Sequence, residues 1–218
     1  MRYKNINMSN QDGVVNYGLS TALRRNLPSN TEFQGNNAEV YENRSGLKKI
    51  KVSATKRALQ LISFKSNSSI LDVGCGTGWS TEVILDAGFD VVGVDISRDM
   101  LEIARNKRNL NVVEGDLRKL PFSDKSFDGI VSISTLNFIA ESCKSVYEVR
   151  ENYKLSAREF WRVLKDQGKA VIEYYPRSSE ELRISMREFS NIGFNGGLII
   201  ENSGYRKTEK FLLLTKTE

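Results

Sequence analysis

The sequence predicts an α/β protein: a doubly wound, mostly parallel seven-stranded sheet whose last strand turns back in an antiparallel C-terminal hairpin. Three observations predict it. From position 69 onward, short apolar runs alternate with segments of three- and four-residue apolar spacing, the pattern of strands and crossover helices. The first apolar run passes straight into a glycine-rich turn and then a helix. The last two runs are separated by about eight polar residues, too few for a crossover helix, so they pair as a hairpin.

Each element follows in order. Residues 1–37, rich in Asn, Ser, Gly and Gln, read as a loose N-terminal arm or short irregular helices; as a functional segment, the arm is a lid over a ligand. Residues 38–218 read as one domain. A helix over 47–64 carries Leu47, Ile50, Ala54, Ala58 and Leu61 on one face and Lys48, Lys49, Lys51, Lys56 and Arg57 on the other. That basic face reads either as a solvated surface or as a contact for RNA. Strands follow at 69–73, 90–94, 111–114, 127–133, 169–175, 197–201 and 210–214. The helix at 77–87 stops at Gly88, where positive φ is cheap. Ser97 caps a helix to about 107, with Asp99 opposing the macrodipole in its first turn. A helix spans about 145–164, and Ser178 with Glu181 forms a capping box for a helix to about 192.

Composition narrows the function. The chain has 218 residues, 39% hydrophobic and 27% charged, a core-forming balance. It contains no histidine, which removes Ser-His-Asp and Cys-His catalysis and the usual zinc sites. Its two cysteines, Cys75 and Cys143, can make neither a disulfide scaffold nor a four-thiolate site, so no metal is expected. Net charge is +5 with a pI near 9.1, which permits an anionic partner without demanding one. No apolar run is long enough to span a bilayer, and the polar start shows no signal peptide. With free thiols, the expected compartment is the cytoplasm.

The chemistry concentrates in Ile70-Leu71-Asp72-Val73-Gly74-Cys75-Gly76-Thr77-Gly78-Trp79. Gly74, Gly76 and Gly78 allow a sharp turn and close approach of a ligand, with Cys75 and Thr77 as small residues between them. A dinucleotide site would place a glycine at position 79, where Trp79 stands; this disfavours a nicotinamide oxidoreductase. A nucleoside without phosphates suits the turn better. Asp72 can receive an ammonium group, directly or through water, while the loop amides face a carboxylate; S-adenosyl-L-methionine has that amino-acid end. Asp95 ends the second strand about 20 residues after the first glycine, the spacing at which a carboxylate grips ribose hydroxyls. Asp116 is placed to accept from an adenine amino group, with Ile96 and Leu117 packing the base faces and Met100 near ribose or base.

These residues resemble class I S-adenosylmethionine-dependent methyltransferases, whose fold is a Rossmann-like seven-stranded sheet with a reversed last strand. The likeness runs from about Ala38 and includes 71–78, Val-Asp-Ile-Ser at 94–97, Gly-Asp at 115–116, Leu120-Pro121-Phe122 and Ser126-Phe127-Asp128. A narrower likeness, on Tyr41, Arg57-Ala58-Leu59, Ser132-Ile133-Ser134, Tyr175-Pro176 and 193–198, is to the family that methylates guanine N7 in small-subunit ribosomal RNA. The sequence departs from that family in having Asn43-Arg44-Ser45 where Asn-Ser-Arg is usual, and Phe138 in place of a Trp.

The resemblance implies S-adenosylmethionine as cofactor, ribosomal RNA or the small subunit as substrate, and a small zinc-containing activator protein at the third-strand edge. That edge would present Leu110, Val112, Val113 and unpaired amides. It implies Ser132 and Tyr41 near the cofactor, and Asn137 and Tyr175 at the rim where the acceptor base is held. Tyr174 and Phe138 read equally as packing or as base contacts. Guanine N7 carries a lone pair and loses no proton, so no general base is required. Two alternatives stay open: methyl transfer to a small molecule, and a non-catalytic cofactor-binding factor in ribosome assembly.

Overall fold

The structure is a computed structural model of the chain and describes residues 4–7, 33, 35–141, 143–203 and 207–217. Its centre is one sheet of strands β1 (Lys4–Asn7), β2 (Ser69–Val73), β3 (Asp90–Asp95), β4 (Val112–Glu114), β5 (Phe127–Ile133), β6 (Leu164–Glu173), β7 (Phe194–Ser203) and β8 (Lys207–Lys216). They lie in the order β1-β7-β8-β6-β5-β2-β3-β4. From β4 to β6 neighbours are parallel. β8 lies between β6 and β7, antiparallel to both, so the expected hairpin is present.

β1 is an eighth strand, where the sequence reads as a loose arm. Lys4 stands opposite Ile200 and Asn7 opposite Gly197, antiparallel to β7. Lys-Asn-Ile-Asn has no apolar alternation to announce a strand, but pairing needs only backbone N–H and C=O groups. The remainder of the arm up to residue 32 lies outside the described residues.

The helices are α1 (Asn36–Glu42), α2 (Ser45–Leu61), α3 (Trp79–Asp86), α4 (Arg98–Arg108), α5 (Val146–Val163) and α6 (Ser179–Ile192). The predicted caps form. Ser97 Oγ accepts from Met100 N, and Ser178 Oγ accepts from Glu181 N at 3.0 Å. The return half of the capping box differs. Glu181 accepts from Arg177 N, one residue before the cap, and from the Tyr153 hydroxyl.

Alternation along each strand divides the core between two faces. Leu71, Val73, Ile130 and Ile172 pack against Tyr153, Ala157, Phe160 and Phe189 of α5 and α6. Ile70, Val131, Val171 and Phe211 pack against Ala54 and Ala58 of α2 and Ile84 of α3. Each fully buried aliphatic side chain contributes about 1.5–3 kcal/mol. This two-sided burial fixes β2 and β5 at the middle of the sheet, where their loops build the site. Among the described residues no helix is long and apolar enough to cross a membrane.

β4 ends the sheet, as expected of the third predicted strand, but its apolar side chains are not on display. Leu110 and Val112 are buried with Cys75, Leu101 and Ala104, and Val113 is half-buried. The Arg105 guanidinium covers the Val112 carbonyl.

Candidate functional site

The winding of the sheet reverses between β2 and β5. The chain leaves β2 outward through β3 and β4, then returns to β5 on the opposite side. Loops at the carboxyl ends of β2 and β5 therefore diverge around a crevice. The glycine turn forms one wall. Gly74, Gly76 and Gly78 have φ of 77°, 55° and 92°, the left-handed region. A Cβ on Gly74 would lie 1.9 Å from Thr135 Oγ1, and one on Gly78 would lie 2.4 Å from Leu110 Cδ1. Neither position admits a side chain.

The turn's amides are used differently from the expectation that they face a carboxylate. Gly74 N and Cys75 N both donate to Val94 O, Gly76 N donates to Asp95 Oδ2 at 2.8 Å, and Gly78 N donates to Cys75 O. The open polar atoms are on side chains instead. Asp72 Oδ1, Thr77 Oγ1 and Trp79 Nε1 are buried and have no hydrogen-bond partner. Such orphans are rare in folded proteins and mark places where a further group belongs.

Asp72 is fully buried. Its Oδ2 accepts from Ser80 Oγ at 2.6 Å and Thr81 Oγ1 at 2.7 Å, both from the start of α3. Burial pushes its carboxyl up to about 6, against the lowering effect of those two hydroxyls and of Lys51. Asp95 ends β3 and accepts from Ser97 N at 2.9 Å as well as from Gly76 N. Burial raises its pKa, and these amides oppose the rise. Lys51 of α2 sends its ammonium to Ile133 O at 2.8 Å, in the field of both acids.

Several predicted residues also make contacts within the protein. Asp116 is held by Arg118 through both carboxylate oxygens. Against the raising effect of burial, the Arg118 hydrogen bonds hold its pKa below the usual value. Cys75 turns its thiol into the Leu101 and Val112 cluster, where burial raises its pKa. Ser132 Oγ donates to Val73 O at 3.0 Å, tying β5 to β2. Met100 is buried against Ala38 and Ile103. Of the two residues read as base contacts, Ile96 is 62% exposed and Leu117 half-buried.

The opposite wall comes from β5 and β6. Asn137 is buried, and its Oδ1 accepts from Tyr175 N at 2.7 Å, so these two predicted residues are brought together. Ser134 N donates to Glu173 O, and Ser134 Oγ donates to Glu173 Oε2 at 2.7 Å. The Tyr175 hydroxyl has a pKa well above the phenol range, through burial first and then the Glu173 carboxylate beside it. Tyr174 is buried, with its hydroxyl bonded to Ser185 of α6; its role is packing.

The short helix α1 closes over the glycine turn. Tyr41 stacks on Trp79 with ring centroids 4.9 Å apart and planes at 16°. Phe33 meets Tyr41 and Phe138 edge-on. Burial raises the Tyr41 pKa, and the Asp95 and Glu42 carboxylates raise it further. Two ion pairs anchor α1 to α4: the buried Arg108–Glu42 at 2.6 Å and Lys107–Glu39 at 2.8 Å. Arg108 also donates to Thr77 O, linking the helix to the turn. Gly35 N donates to Asp99 Oδ2 and Ser97 Oγ to Phe33 O.

Sequence reading missed Lys51, Glu173, Phe33 and the Trp79 indole as site residues. Lys51 lay within a basic run that reads as solvated. Glu173 lay inside an apolar strand, where a buried carboxylate is the signal that could have found it.

A methyltransferase-domain family model matches residues 71–172. The chain is 31% identical over 189 residues to the protein named probable 18S rRNA (guanine-N(7))-methyltransferase in Dictyostelium discoideum, covering 83% of this chain and 64% of that one. It is 30% identical over 190 residues to the 18S rRNA (guanine-N(7))-methyltransferase of Bos taurus, covering 85% of this chain and 68% of that one. The chain thus spans about two thirds of the length of these curated relatives. Its fold matches a candidate S-adenosyl-L-methionine-dependent methyltransferase from Methanococcus maripaludis with TM-score 0.66 at 19% identity, covering 88% and 97% of the two chains. It also matches a chain of the Haloferax volcanii complex formed with the Trm112 methyltransferase activator, with TM-score 0.61 at 17% identity, covering 83% and 96%. These two likenesses are of fold. The relation to the bovine protein runs along most of this chain at an identity that marks common descent: the chain belongs to the 18S rRNA (guanine-N(7))-methyltransferase family.

Proposed function

We propose that this chain transfers a methyl group from S-adenosylmethionine to guanine N7 of small-subunit ribosomal RNA. The observation that carries the cofactor is the unpartnered, buried Oδ1 of Asp72 behind the glycine turn. The residues fit such a ligand. Asp72 Oδ1 offers a negative charge to an ammonium, and the Thr77 hydroxyl and Trp79 indole N–H offer donors to a carboxylate. Asp95 is assigned to the ribose hydroxyls, and Ile96 and Leu117 to the base. Gly74 and Gly78 make the bend, and Gly76, where a Cβ would meet only Met100 Cε at 3.6 Å, lets the ligand approach the backbone; Tyr41 and Met100 close the same end.

The cofactor supplies a methyl group on a sulfonium, activated for in-line displacement. The chain's work is alignment and exclusion of water. Asn137 fixes the Tyr175 backbone, and Glu173 fixes Ser134, so the acceptor wall is crosslinked from β5 to β6. Phe33, Tyr41, Trp79 and Phe138 form an apolar cover. Guanine N7 loses no proton on attack, so no residue need act as a base; this suits a chain without histidine.

The 38–218 unit is assigned as the methyltransferase domain, with the preceding arm as a lid. A small zinc-binding activator is assigned to the backbone edge of β4, a reading supported by the activator complex of the Haloferax relative in fold. The two free cysteines suit a reducing compartment, the cytoplasm.

The test is transfer of labelled methyl from S-adenosylmethionine to small ribosomal subunits, followed by nucleoside digestion. Label in 7-methylguanosine supports the proposal. Label in another nucleoside, or only in small molecules from an extract, overturns it.

A further inference from the structure

We propose that the outer face of α2, from Arg44 through Lys48 and Lys49 to Lys56, is the surface along which the ribose-phosphate backbone of the acceptor RNA passes to reach the crevice. This rests on the reading of the acceptor as RNA. Three observations carry it.

The first is charge placement. α4, α5 and α6 each carry an acid in the first turn, and α4 and α5 end on bases, as the macrodipole favours. α2 does the reverse. Arg44 is its N-cap, Lys48, Lys49 and Lys51 follow within two turns, and its 17 residues include no acid. These cations oppose the positive end of their own helix and repel one another, so the helix carries them against its stability.

The second is the lack of counter-ions. On α4, Arg98, Lys107 and Arg108 each pair with a glutamate. On α2, Arg57 pairs with Glu201 and Lys51 turns inward to Ile133 O. Among the described residues Arg44, Lys48, Lys49 and Lys56 make no ion pair; Arg44, Lys49 and Lys56 are exposed and Lys48 half-buried. Paired surface lysines have their field cancelled by the partner acid; unpaired ones of a single sign leave a positive field.

The third is position and reach. Lys51 anchors the first half of α2 at the carboxyl end of β5, and Tyr41, just ahead of α2, lies on the glycine turn. From Arg44 to Lys56 the cations run over roughly 18 Å of helix at 1.5 Å per residue. An extended polyanion matches a row of this length better than a single small anion does.

The experiment measures binding of a fluorescent single-stranded 20-nucleotide RNA to the full chain as a function of KCl concentration. It compares wild type, the triple variant K48Q/K49Q/K56Q, and K65Q/K125Q/K169Q, which removes the same charge at the amino ends of the strands. The plot of log Kd against log salt becomes shallower by about 2 for the α2 variant, since each phosphate contact on a single strand contributes about 0.7. The other variant keeps more of the wild-type slope, S-adenosylmethionine affinity holds, and the melting temperature of the α2 variant holds or rises. Steep wild-type salt dependence with an unchanged slope in the α2 variant overturns this inference and leaves the RNA reading standing. A fall in melting temperature overturns it too, because the cations would then be structural. Wild type that binds no RNA overturns both.

Discussion

Asp72→Asn isolates the charge at the centre of the site. In the wild type, Oδ2 accepts from Ser80 and Thr81 while Oδ1 is buried without a partner. Asparagine keeps one oxygen for the two hydroxyls and places an amide where Oδ1 stands. Burial moves the Asp72 carboxyl from an ordinary 3.8 to about 6. An acid raised in the folded state binds its proton more tightly there than in the unfolded chain. Stability therefore falls as pH rises from 3.8 to about 6, and the penalty is complete above that window. At about 1.36 kcal/mol per pH unit, the penalty is about 3 kcal/mol. Without cofactor, the variant is therefore more stable than wild type at pH 8, by up to about 3 kcal/mol, and similar to it at pH 4. Its affinity for S-adenosylmethionine falls about 10- to 100-fold, the loss of a charge-assisted hydrogen bond of about 1.5–3 kcal/mol. Urea unfolding at the two pH values and a cofactor titration at pH 8 measure both effects. A variant less stable than wild type at pH 8, or one that binds the cofactor as well as wild type, refutes the reasoning.

Other substitutions probe the walls. Gly74→Ala forces a Cβ into Thr135 at positive φ and destabilises by about 2–4 kcal/mol in urea unfolding; Thr135→Gly in the same chain restores part of it. Glu42→Gln removes one of the two carboxylates facing the buried Arg108, which keeps Glu82 at 3.5 Å and Thr77 O, costs about 1–3 kcal/mol, and speeds proteolysis near α1; unchanged protease sensitivity would mean that the pair does not anchor the helix. Asn137→Ala removes the acceptor for Tyr175 N and slows methyl transfer at least 10-fold, while cofactor affinity, read by titration, stays within about 2-fold.

The frame of this molecule was legible because local chemistry and tertiary packing agree along most of it. Ser69–Val73 and Phe127–Ile133 fall where the apolar runs put them, since both strands are buried on two faces. Ser97 and Ser178 cap the helices they precede. The hairpin strands extend further than expected, Phe194–Ser203 and Lys207–Lys216, because their outer residues, polar apart from Phe194, are held by ladder bonds. Lys4–Asn7 pairs with residues nearly the whole chain away, and nothing local signals it.

The site was legible at the level of which strand ends contribute, and less so at the level of atoms. Glycine spacing located the turn, yet the use of its amides by Val94 and Asp95 follows from how β2 and β3 run side by side. Asp116 was found at a strand end, but Arg118 two residues on competes for it. Asn137 and Tyr175, 38 residues apart, meet only because β5 and β6 are neighbours.

The account stands or falls on whether the glycine turn and its acids hold S-adenosylmethionine. Titration calorimetry of the cofactor into the full chain decides it. The expected result is saturable heat with one site per chain, weakened at least 10-fold by Asp95→Ala. No heat in the wild type at any temperature tried, or equal affinity in Asp95→Ala, contradicts it.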